Sequence, residues 1–139
     1  MSGTTAPALS TTLATGFDEA VRRTRAALAD QGFGVLTEID MTATLRAKLG
    51  YEMEDYLILG ACNPPLAHRA VEIDRQIGIL LPCNVVVRRD PDDAGAIRVE
   101  AMNPDVMVQV TGEPALESVA GEAATRLRAA IDALRGGDS

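Results

Sequence analysis

Apolar and polar positions change period several times along the chain, and each change marks an element. Phe17, Val21, Thr24 and Leu28 recur at helical spacing, with Ala20 and Ala27 on the same face. Thr15-Gly16-Phe17-Asp18 ahead of them resembles a capping box, and Gly32 falls where such a helix stops. From Phe33 the period becomes two: Phe33, Val35, Thr37 and Ile39 alternate with Gly34, Leu36, Glu38 and Asp40. That pattern predicts a strand with the first row in the core and Glu38 on the solvent side. Residues 41–49 suit a short helix, with Leu45 and Leu49 four apart and Gly50 ending it. Residues 56–61 read as a buried strand, and Cys62-Asn63-Pro64-Pro65 then gives strand end, N-cap and proline at the first helical position.

The second half repeats the alternation. Residues 78–89 form a β-branched run that predicts a strand, with Pro82 marking a bulge or an edge position. A turn at Asp90-Pro91-Asp92-Asp93-Ala94-Gly95 returns the chain into residues 96–102 as a hairpin. Residues 105–111 fit either a strand, from Val106, Val108 and Val110, or a surface loop. Leu116, Val119, Ala123, Leu127, Ala130, Ile131 and Leu134 make one stripe on a long final helix over residues 114–134. With a short first strand at residues 10–14, the order is β-α-β-α-β-α-β-β-α. The expected class is α+β, a single domain with a mixed or mainly antiparallel sheet and helices mainly on one face. Residues 1–12 are expected as a loose tail, residues 13–135 as the domain, and residues 136–139 as a second tail.

Composition narrows the function classes. At 139 residues the chain makes one domain, with a core large enough to need no disulfide or zinc. A net charge of −7, from 13 basic and 20 acidic residues, argues against a phosphate-backbone partner. The aromatics are only Phe17, Phe33, Tyr51 and Tyr56, too few for a base-stacking platform. Residues 1–15 carry no positive charge and no long apolar core, which argues against a secretory signal. The apolar stretch at residues 77–87 is far short of the roughly 20 residues that span a bilayer. The expectation is a cytoplasmic protein, without a nucleic-acid or membrane partner, whose Cys62 and Cys83 are free thiols.

Phosphate loops, nucleophile elbows, paired zinc cysteines and His-Glu-x-x-His helices are all missing. What remains is a pair of Cys-Asn dipeptides, Cys62-Asn63 and Cys83-Asn84, each placed in or at the end of a strand. Cys62 precedes a helix start, where free N–H groups favour a thiolate. His68 and Glu72 share a face of that helix. One reading is a ligand site of Glu38, Cys62, Asn63, Cys83 and Asn84, or a soft-metal site of Cys62, His68 and Cys83. The opposing reading makes both cysteines small core hydrophobes and Asn63 a simple cap. A weaker alternative is a thiol enzyme using Cys62, with His68 or Glu38 as base. No cofactor follows from these residues.

Three blocks, residues 32–40 (GFGVLTEID), 58–64 (ILGACNP) and 78–85 (GILLPCNV), resemble the signature segments of an uncharacterised prokaryotic family, domain of unknown function 302. The resemblance runs from about Phe17 to Ile131. It implies a small α+β fold and a homodimer, and brings no settled activity. It places Glu38, Cys62, Asn63, Pro64, Pro82, Cys83 and Asn84 on the family's motif positions. Two functions stand side by side: a small-ligand or metal binding or sensing domain with a thiol site, and a homodimeric interaction module whose motif residues are structural.

Overall fold

A computed structural model describes residues 8–136. Five strands form one antiparallel sheet in the order β1-β5-β4-β3-β2. They are β1 (Ala8–Leu13), β2 (Gly34–Asp40), β3 (Tyr56–Cys62), β4 (Cys83–Asp90) and β5 (Asp93–Met102). The helices are α1 (Phe17–Asp30), α2 (Met41–Leu49), α3 (Pro64–Ile73), α4 (Val106–Thr111) and α5 (Glu117–Gly136). The chain is thus the α+β domain expected, with its elements in the expected order and one further helix, α4. β1 starts at Ala8, so residues 8–12 belong to the sheet rather than to a tail; residues 1–7 and 137–139 lie outside the described residues.

One face of the sheet carries the core. Leu57, Leu59, Val85, Val87, Ile97 and Val99 are buried there with Leu28 of α1 and Leu127 and Ile131 of α5. Every position of the α5 stripe read from the sequence is buried. A smaller cluster joins Leu66 and Ala70 of α3, Met107 of α4, and Val119 and Ala123 of α5. On the other sheet face Tyr56, Ile58, Val86 and Met102 are only half-buried.

α1 ends as its sequence suggests. Gly32 takes φ +86°, the Phe33 N–H donates to the Leu28 carbonyl at 2.9 Å, and the Gly32 N–H donates to Ala29 at 3.0 Å. This is a Schellman ending, sealed by Phe33 and Leu28 in the core. Its start differs from expectation. Gly16, not Thr15, is the N-cap, and no side chain caps it.

Three other expectations are corrected. β2 does not keep its alternation, because the register slips between Val35 and Thr37. Leu36 is the extra residue of a β-bulge, and past it the two faces exchange. Glu38 therefore pairs opposite Leu59 on the helix side, while Thr37 and Ile39 pair opposite Gly60 and Ile58. Residues 78–80 are not strand. They lie in a 3-10 turn, Arg75–Leu80, which buries Ile77 and leaves Ile79 81% exposed. The Leu81–Pro82 bond is cis, and β4 begins only at Cys83. Residues 106–111 are neither strand nor loop but α4, stopped by Gly112 at φ +67°.

Candidate functional site

A cleft of about 330 Å³ opens where the two apolar clusters meet. Its walls come from the ends of β3 and β4, the β2 bulge, α3, α4 and α5. Ala61, Ala70 and Ala123 supply buried small side chains to its lining, which leaves room that larger residues would fill. Leu36, thrown outward by the bulge and 67% exposed, stands at its mouth.

Both cysteines line this cleft. Cys83 opens β4 opposite Ala61 on the helix side, whereas Cys62, the next residue along β3, pairs with Gly34 on the other face, so the two stand on opposite faces at the end of the sheet. Burial, together with the nearby Cys62, pushes the Cys83 thiol up to about 11, so it stays protonated at neutral pH. Cys62 is half-buried, and both thiols are free.

The start of α3 offers Cys62 little. Pro64 and Pro65 have no N–H, and the next donor, Leu66 N–H, is taken by Asn63 Oδ1 at 3.3 Å. Ala67 N–H goes to the Asn63 carbonyl at 2.9 Å. The partial positive charge of a helix start resides in free N–H groups. Here they are absent or engaged, so the expected activation of Cys62 by this helix is not supplied.

Asn63 lines the cleft but spends its amide on the fold. Besides capping Leu66, its Nδ2 donates to the Gln31 carbonyl at 3.5 Å. Asn84 is exposed, opposite Gly60 on the other side of the sheet, and does not line the cleft. Glu38 is an exposed ion-pair partner of Arg25 on α1. His68 is exposed and lines a separate hollow with Arg69 and Glu72. Of the residues expected to form the site, the fold therefore gathers Cys62, Asn63 and Cys83 and separates Glu38, His68 and Asn84. Among the described residues, no three His, Cys, Asp or Glu side chains come together to hold a metal. The metal set Cys62, His68 and Cys83 is not assembled, because α3 turns His68 outward. Sequence reasoning missed Leu36, Met107, Val119 and Ala123, whose place depends on how α4, α5 and the bulge pack.

The profile of the family described as Domain of unknown function DUF302 matches residues 9–134. The chain belongs to this family. A solved relative, the uncharacterized conserved protein DUF302 from Bacillus stearothermophilus, shares 30% identity with it at a TM-score of 0.81. That likeness covers 90% of this chain and 95% of the relative. No curated protein matches the chain. This DUF302 domain has no helix, among the described residues, long and apolar enough to cross a membrane.

Proposed function

We propose that this DUF302 domain binds a small ligand through apolar and sulfur contacts in the cleft that Cys62 and Cys83 share. The observation that carries this is the cleft itself, about 330 Å³ and lined by alanine, leucine and both thiols. Its size falls at the lower end for small-molecule sites, roughly 300–1,000 Å³. Binding is favoured over catalysis by what surrounds it. Among the described residues, the two thiols are the only titratable side chains on its walls, and Cys83 is held protonated. His68 and Glu38, the bases a thiol enzyme would use, lie elsewhere. A reducing cytoplasm is the compartment that would keep both thiols free.

The test uses the fluorescent probe N-phenyl-1-naphthylamine. Wild type should bind it saturably, and Ala123→Leu, which fills the cleft, should not, while circular dichroism shows an unchanged fold. Equal binding by both proteins would overturn the reading.

A second reading is favoured by the uncovered sheet face. Tyr56, Ile58, Val86 and Met102 are half-buried there, beside the Arg88–Glu100 and Arg98–Asp90 ion pairs, each at 2.8 Å. On this reading two copies pack face to face, and sedimentation gives a dimer that Val86→Glu dissociates. A wild-type monomer at high concentration would reject it.

A further inference from the structure

The walls of the cleft offer a charged ligand no partner. Among the described residues, no Asp, Glu, Lys, Arg or His side chain lines it, and Asn63 carries its one side-chain amide. That amide is engaged at both ends: Oδ1 accepts from Leu66 N–H, and Nδ2 donates to the Gln31 carbonyl. The start of α3 beside it has no donor to spare, since Pro64 and Pro65 lack an N–H and Ala67 N–H is bonded to the Asn63 carbonyl. Arg126, one turn along α5 from the lining Ala123, turns to the Gln31 carbonyl and to Glu122, each at 3.5 Å.

Desolvation then decides the class of occupant. An ion moved from water into apolar surroundings without a partner loses hydration that nothing replaces. A carboxylate or an ammonium group would meet only carbon, sulfur and an engaged amide here. Hydrocarbon carries no such penalty and gains by leaving water. Leu36 points the same way. The β2 bulge throws it out at the mouth, 67% exposed, although it is as apolar as the walls behind it. An occupant that reached the mouth would take that side chain out of water as well. We infer that the ligand is an uncharged molecule built mainly of hydrocarbon, that the cleft refuses charged analogues of the same chain length, and that Leu36 covers the ligand at the mouth.

This inference rests on the reading of the cleft as a ligand site, so the experiment separates the two. N-phenyl-1-naphthylamine is bound to the reduced protein at pH 8 and displaced with 1-decanol, decanoate or decylammonium, the last two both charged at that pH. 1-Decanol should displace the dye at a concentration at least about 100-fold lower than either ion, as the burial of an unpaired charge requires. Leu36→Ser should weaken 1-decanol by about tenfold, in keeping with the loss of one buried leucine side chain. Its thermal melt should match wild type, because Leu36 is exposed in the free protein. If either ion displaces the dye as readily as 1-decanol, or 1-decanol fails to displace it, the uncharged ligand is overturned, while a dye site that Ala123→Leu closes still stands. Unchanged 1-decanol affinity in Leu36→Ser overturns the role of Leu36. A wild type that binds no dye removes this inference and the ligand-site reading together.

Discussion

The Asn63 side chain donates to the Gln31 carbonyl at 3.5 Å, tying the end of α1 to the start of α3. Gln31 is the C-cap of α1 and Asn63 the N-cap of α3, so one amide serves two helix termini. Arg126 of α5 reaches the same carbonyl at 3.5 Å. Asn63→Ala should cost about 1–2 kcal/mol, the usual range for a lost N-cap. Urea denaturation measures this, and a loss below about 0.5 kcal/mol, within the range of ordinary surface changes, would show that the tie contributes nothing.

Gly60 is held where no side chain fits. A Cβ there would strike Thr37 Oγ1 and come within 2.8 Å of Pro82 Cγ. Gly60→Ala should destabilise by about 1–3 kcal/mol, as overpacking does. Thr37→Ala should relieve part of it, so the double variant should be more stable than the sum of the singles requires. Strict additivity in thermal melts would show that Thr37 is not the obstacle.

Cys83 links stability to alkaline pH. Its pKa rises on folding from 9.0 to about 11. The stability it contributes is complete below pH 9 and lost as pH climbs through 11, because the unfolded thiol ionises first. Wild type should therefore lose melting temperature across that window, and Cys83→Ala should lose less. At pH 8 the thiol should also alkylate roughly 100-fold more slowly than a free cysteine, because its pKa is raised from 9.0 to about 11 and its thiolate fraction falls accordingly. Rapid modification in mass spectrometry would refute this.

Glu19 works at the opposite end of the scale. Hydrogen bonds from Arg22 and Arg23 hold its carboxyl at about 2, against an ordinary value of 4.5. Its contribution is present above pH 4.5 and disappears as pH falls towards 2. The cluster is solvent-exposed, so salt should weaken it. Glu19→Gln should melt below wild type at pH 6, with the gap closing at pH 2 and in high salt. A gap that persists under both conditions would point to some other role for Glu19.

Long, strongly periodic segments were legible in the sequence. The α5 stripe, the Asn63-Pro64 cap and the Gly32 stop needed only local chemistry, and the structure has each of them. Residues 106–111 were not legible because six residues are too few to separate a helix from a strand when valine occupies alternate places. The N–H of Asp105, turned to Asn103 Oδ1 at 3.1 Å, and the left-handed Gly112 decide the matter locally. Residues 78–80 look like strand by composition, yet Ile77 is drawn into the smaller cluster and the chain coils around it. At the cleft, the two Cys-Asn segments supply Cys62, Asn63 and Cys83 to the lining, while Asn84 lies on the other side of the sheet. They gave no sign of Met107 or Ala123, which reach it from far along the chain.

The bulge at Leu36 also shapes how this domain meets others of its kind. β2 is an outer strand of the sheet, with one side free for a foreign strand to pair with. The slip between Val35 and Thr37 in its pairing with β3 makes the strand irregular halfway along, and Asp40 adds an acidic side chain at its end. An irregular, acidic border is a poor template for amyloid-like growth. Contact between copies is therefore steered away from strand addition along β2, and crowding at high expression need not seed fibres from this border.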